Sequence, residues 1–124
     1  MASGPAARSL SYLRKEGWTL VQVVEQWIPQ AKRRRDLFGF ADILAVNEDW
    51  GHLYVQATSG SNFSARVHKV IDAEATRVIL ETGARIQVHA WRKLKRSGRR
   101  VWVPKIAEIT MDEFGILHYE EEKV

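Results

Sequence analysis

Residues 37–58 hold two apolar runs, LFGFADILAV and HLYVQAT, parted by the turn NEDWG. Short runs of β-branched and aromatic residues on either side of an Asn/Asp/Gly turn favour two strands folded back as a hairpin. No other stretch limits the fold so tightly, because a hairpin fixes its own register. With the turn centred near residue 49, position 42 falls opposite position 56. Both positions are polar, Asp42 and Gln56, inside otherwise apolar strands. A carboxylate in such a strand costs free energy unless a cation, a metal or hydrogen-bond donors meet it. The two side chains are therefore expected as cross-strand neighbours on one face.

The flanking segments extend this hairpin into a domain. PAARSLSYLRKE (5–16) sets Pro5 at a helix start, Leu10 and Leu13 on one side and Gly17 at the stop, which predicts a short amphipathic helix. WTLVQVVEQWI (18–28) reads as a strand closed by Pro29, and PQAKRRRD as a charged connection. After SGSN, residues 63–82 place Val67, Val70, Ile71, Ala75, Val78 and Ile79 at helical spacing. One long helix is predicted there, capped by Ser61, Asn62 or Ser64 and ended by Gly83. ARIQVHAWRK (84–93) resumes period two, LKRSGRR turns, and VWVPKIAEI (101–109) returns as a strand interrupted by Pro104. The tail is expected to add a short strand at 116–119 and then fray. A right-handed crossover would lay the fourth strand beside an earlier one. The result is an α/β sandwich with a mixed central sheet, α-βββ-α-β in order, and a C-terminal β-hairpin extension. Residues 1–110 make the domain and 111–124 an acidic tail.

Composition narrows the function. A chain of 124 residues, 45% hydrophobic, suits one domain with one core. Without cysteine there is no disulfide framework and no thiolate metal site. MASGPAARSL lacks the apolar stretch of a signal peptide, and no run approaches the ~20 residues of a membrane span. A soluble, cytoplasmic protein without a membrane partner is expected. The four histidines lack metal-ligand spacing. Residues 111–124 carry five acids and one lysine, which leaves the rest of the chain at net +8. That basic body is expected to bind a polyanion, with DNA as the leading partner. Two clusters localise the charge: Lys32, Arg33, Arg34 and Arg35 just before the Asp42 strand, and Arg92, Lys93, Lys95, Arg96, Arg99 and Arg100 around the last turn. Trp91 and Trp102 border the second cluster, where they can flank nucleic acid. No sequence-reading helix is evident, so backbone or shape recognition and salt-sensitive binding are expected.

A helix ending LRKEGW, a strand, a basic loop, a strand with DILAV, a turn, and a strand ending in a polar triplet before a helix together resemble the PD-(D/E)XK nuclease superfamily. Within it the pattern is most similar to archaeal Holliday junction resolvases and related phage proteins, over residues 5–91. The resemblance implies a restriction-endonuclease-like fold. It also implies Mg²⁺ (or Mn²⁺) held by an aspartate on the second strand and a glutamate on the third, with a lysine two residues later orienting the attacking water. Those positions fall on Asp42, Gln56 and Thr58. The Gln56 amide oxygen can still ligate a cation, though without charge, so the ion would be weakly held. The Ala57 carbonyl is a further ligand candidate. Thr58 can hydrogen-bond a water but supplies no positive charge. Lys69 is the leading substitute for the lysine, with Arg66 beside it on the next helix. Glu25 and Asp36 are spare carboxylates near Asp42, along with Glu16. The glutamate that resolvases carry early in the first helix falls near Ala6 and is missing.

The expected function is metal-dependent DNA endonuclease chemistry of the resolvase kind, in a bacterial or phage-infected cell, with a homodimer implied by the resemblance. Two alternatives belong to other classes. One is a catalytically silent DNA-binding or structural module of the same fold. The other is a protein-interaction domain.

Overall fold

The structure is a computed structural model and describes residues 4–122. A six-stranded mixed sheet, ordered β1 (Leu20–Val23), β4 (Ile43–Asn47), β5 (Gly51–Ser59), β6 (Arg85–Arg96), β7 (Arg99–Met111) and β8 (Leu117–Glu122), lies between helix α1 (Pro5–Glu16) on one face and helices α2 (Phe63–Asp72) and α3 (Glu74–Glu81) on the other. Every pair is antiparallel except β5 with β6, which the two helices connect. This is an α/β sandwich.

Helix α1 (Pro5–Glu16) begins on proline and ends at Gly17, whose φ of 108° suits a residue without a Cβ. The stretch expected as one strand over 18–28 divides in two. β1 (Leu20–Val23) pairs with β4, whereas β2 (Gln26–Ile28) turns away to pair with β3 (Arg33–Arg35). The arginine run is thus a strand and not a loop. A largely solvated hairpin, with Ile28 its one partly buried strand residue, can carry it, and all three arginines are exposed.

The next expected strand, 37–46, begins only at Ile43. Leu37 and Ala41 bridge a tight turn in which Phe38 and Gly39 both take positive φ, 54° and 82°. Left-handed backbone at Phe38 costs about 1–2 kcal/mol. It is offset by the burial of Phe40 and Ala41, both wholly inaccessible. The strands β4 (Ile43–Asn47) and β5 (Gly51–Ser59) then form the hairpin, with Ile43 opposite Val55 and Asn47 opposite Gly51.

A 3₁₀ turn (Gly60–Asn62) leads into α2 (Phe63–Asp72) and α3 (Glu74–Glu81). The helix expected as continuous breaks at Ala73, which is extended at ψ 131°. The Thr76 hydroxyl donates to the Val70 carbonyl at 2.5 Å, the same carbonyl that accepts the Ala73 N–H at 3.2 Å, so the end of α2 is tied across the break. Val78, placed by spacing on the buried stripe, is 64% exposed as a result.

β6 (Arg85–Arg96) and β7 (Arg99–Met111) are longer than the sequence suggested, joined only by Ser97 and Gly98 at φ 50° and 79°. Pro104 does not interrupt β7. Among the described residues β8 ends opposite Ile106, and Pro104 is paired only with Trp91 of β6, a position at which proline is tolerated. Beyond Trp91, which stands opposite Ser59, β6 and β7 project as a two-stranded arm. β8 (Leu117–Glu122) makes the acidic segment an edge strand of the sheet.

The core has two compartments. Leu13 and Trp18 meet Ile43, Ala45, Leu53 and Val55 on the α1 face. Phe63, Val67, Val70 and Ile79 meet Ile86, Val88, Ala90, Ala107 and Ile109 on the other. No helix among the described residues is long and apolar enough to cross a membrane.

Candidate functional site

Asp42 stands one residue before β4 and already follows its ladder. Its N–H donates to the Val55 carbonyl and its carbonyl accepts from the Val24 N–H, each at 2.8 Å. Because Val55 is already paired with Ile43, the ladder with β5 slips by one residue at Asp42, and the side chain is left facing Gln56 and the Ala57 N–H. Gln56 Nε2 donates to Asp42 Oδ2 at 2.7 Å, and the Ala57 N–H donates to the same oxygen at 2.8 Å. In an extended strand the N–H and C=O of one residue leave on the same side, so the Ala57 carbonyl faces this gap too.

Two further carboxylates arrive from segments outside the hairpin. The Leu37–Ala41 turn folds Asp36 back onto Asp42, with which it shares a hydrogen bond. Glu25 lies in the step between β1 and β2. One carboxylate oxygen from each of Glu25, Asp36 and Asp42 lies within 4.8 Å of the others. Cations surround the group. Lys69 Nζ, from α2, is 3.1 Å from Asp36 Oδ2, and Arg34 Nη1 is 3.5 Å from Glu25 Oε1.

Carboxylates this close cannot all ionise freely. Burial and then the hydrogen bond it donates to Asp36 push Asp42 up to about 7, while the Ala57 and Gln56 donors pull the other way. Burial also raises Asp36, but its hydrogen bonds to Asp42 and Lys69, with the charges of Lys69 and Arg66, hold it below the usual carboxylate range. The proton of the pair therefore rests on Asp42.

Gln56 is 1% exposed, and its Oε1 is buried without a hydrogen-bond partner. An orphaned buried acceptor costs about 1–3 kcal/mol, which a cation in reach would recover. Three carboxylates, an amide oxygen and a backbone carbonyl are all hard oxygen donors, the set suited to Mg²⁺ or Mn²⁺. The residues present fit such an ion.

Thr58 lies on the same strand, two residues on. Its Oγ1 accepts from Asn62 Nδ2 at 3.5 Å, which ties it to the helix entry and not to the carboxylates. Arg66 acts on the cluster through its charge on Asp36. Lys32, Arg33, Arg34 and Arg35 lie on or beside the β2–β3 hairpin next to Glu25 and Asp36. Lys93, Lys95, Arg96, Arg99 and Arg100 lie away from the cluster, on the arm.

The opposite face of the sheet carries a second polar system that sequence reasoning missed. Trp91 Nε1 donates to Ser9 Oγ at 2.8 Å, Ser9 lies 2.9 Å from His89 Nδ1, and His89 Nε2 lies 2.8 Å from Gln87 Oε1. Gln87 Nε2 then donates to Glu108 at 2.8 Å, and Arg85 pairs with the same carboxylate through two nitrogens. A single tautomer satisfies the chain, with the His89 proton on Nε2 and the Ser9 hydroxyl donating to Nδ1. Burial pushes His89 down to about 3, so it is neutral. Ser9 and His89 are both wholly inaccessible. The chain fastens α1 to the sheet, and no substrate can reach the serine. Period-two alternation places Gln87 and His89 on one face, but nothing local in the sequence points to Ser9 as their partner.

Compared with protein-family models, with curated proteins and with solved structures, the chain matches none. What it can do therefore rests on its own geometry.

Proposed function

We propose that this protein is a divalent-cation-dependent DNA endonuclease of the PD-(D/E)XK kind, with a carboxylate set partly relocated to other segments. The observation that carries the reading is the meeting of Glu25, Asp36 and Asp42 within 4.8 Å beside an unpartnered Gln56 amide oxygen. Further support comes from the order of α1, an antiparallel β1-β4-β5 meander, a helical crossover and β6 parallel to β5. That order is the one a restriction-endonuclease-like core would require. Glu25 and Asp36 would supply the charge that Gln56 lacks at the usual glutamate position.

A divalent ion held there would polarise a phosphodiester and make a nearby water more acidic. The chain's own groups do the rest. Asp42 releases its proton as the ion binds, because a ligating carboxylate must be ionised. Asp36 and Glu25 balance the charge, and Gln56 and the Ala57 N–H hold the Asp42 carboxylate in one orientation. Lys69, drawn in by Asp36, takes the role of the missing strand lysine by placing positive charge beside the scissile phosphate. The β2–β3 arginines and the basic arm hold the DNA backbone, so affinity should fall steeply with salt.

The test is incubation with plasmid, branched and single-stranded DNA in Mg²⁺ or Mn²⁺. Cleavage by the wild type should fall about a hundredfold or more in Asp42→Asn. Undiminished cleavage in that variant would remove the site. The second reading is a silent DNA-binding module, favoured by Thr58 bonding Asn62 where a lysine would stand. Salt-sensitive binding with no cleavage in either metal would select it.

A further inference from the structure

A broad groove lies away from the carboxylates, on the α1 face. It has a volume of about 750 Å³ and runs between α1 and the root of the β6–β7 arm. Trp91, Trp102 and Pro104 form its arm side, and Arg8, Lys15 and Arg96 set cations along it. No acidic residue lines it among the described residues. Trp91 is held edge-on to Tyr12 and donates its indole N–H to Ser9, so this wall is rigid. Trp102 is 43% exposed, with the Arg8 guanidinium 3.6 Å from its ring centroid and Lys93 Nζ at 5.2 Å.

We infer that this groove binds a single-stranded stretch of nucleic acid, with an unpaired base stacked against Trp102. Two requirements meet there. Arg8 already covers one face of the Trp102 ring, so the platform for a base is the ring's remaining exposed surface together with the outer face of that guanidinium, and the surrounding cations suit the phosphates on either side. A duplex cannot use the platform, because its base faces are already covered by their neighbours. A second copy of the chain fits poorly, since it would bring one cationic rim against another. The inference does not depend on chemistry at Asp42.

Register places Trp91 opposite Ser59, three residues past Gln56 on the neighbouring strand. The groove and the carboxylate cluster therefore occupy one end of the sheet on opposite faces. DNA in which a duplex opens into single strands could engage both.

The experiment uses the full chain in EDTA, with fluorescence anisotropy of labelled oligothymidylate and oligouridylate of about 12 nucleotides and of a duplex of equal length. Trp102→Leu and Arg8→Gln should each weaken single-strand binding at least about fivefold while leaving duplex binding within about twofold. Because the binding is read in EDTA, with no divalent ion present, its outcome is separate from that of the metal site. An oligonucleotide carrying 5-iodouracil should photocrosslink to the peptide containing Trp102. Tighter binding of one oligonucleotide series would identify DNA or RNA as the ligand. Wild-type single-strand affinity in both folded variants, a crosslink confined to other segments, or a dimer that Trp102→Leu dissociates would overturn the proposal.

Discussion

At the scale of single residues, Asp42 and His89 are both buried and both displaced from their ordinary protonation range, in opposite senses. Asp42 titrates near 7 in the folded chain against an ordinary 3.8, so folding takes up a proton between those values and acidification stabilises the fold. His89 titrates near 3 against an ordinary 6.5, so the unfolded chain alone protonates in that window and acidification destabilises it. From about pH 6.5 down to 4 the two slopes oppose each other. Urea unfolding in EDTA should thus show little change for the wild type from these two groups. Asp42→Asn removes one slope and should lose roughly 2–3 kcal/mol over the same interval. Parallel pH profiles for the two proteins would refute the protonation assigned to Asp42.

At the scale of elements, α1 is held to the sheet by Leu13 in the core and by Ser9 in the polar chain. Removing the Ser9 hydroxyl leaves His89 Nδ1 and Trp91 Nε1 without their buried partner. Ser9→Ala should therefore cost about 1–3 kcal/mol, and exposed Ser11→Ala under about 0.5 kcal/mol. Equal effects of the two in thermal unfolding would show that the chain does not fasten the helix. The sequence made the hairpin readable because NEDWG fixes one register, and from it the contact between Asp42 and Gln56. It concealed the break at Ala73, since a helix interrupted for one residue keeps most of its apolar spacing. It also concealed β3, because three arginines carry no strand pattern. The Leu37–Ala41 turn was hidden inside an apolar run, its one signal being Gly39. That turn joins Asp36 to Asp42. Composition and spacing could suggest these carboxylates as neighbours, but only the fold-back brings them together.

At the scale of the whole molecule, charge and chemistry are separated by element. Glu120, Glu121 and Glu122 lie on an edge strand, the cations crowd two hairpins, and the clustered carboxylates, of which Asp42 is buried, sit between the β2–β3 hairpin and α2. The architecture places cationic surface beside the carboxylate cluster, the juxtaposition on which the proposed phosphodiester chemistry rests. The central claim is that Glu25, Asp36, Asp42 and Gln56 form an ion site. Calorimetric titration of the DNA-free protein with Mn²⁺ tests it directly, at pH 8 and pH 6. One ion should bind per chain, more tightly at pH 8 because Asp42 must lose its proton, and Asp42→Asn should abolish the binding. Gln56→Glu should tighten it by restoring a fourth carboxylate. Unchanged Mn²⁺ affinity in Asp42→Asn, in a chain that still unfolds cooperatively, would contradict the account.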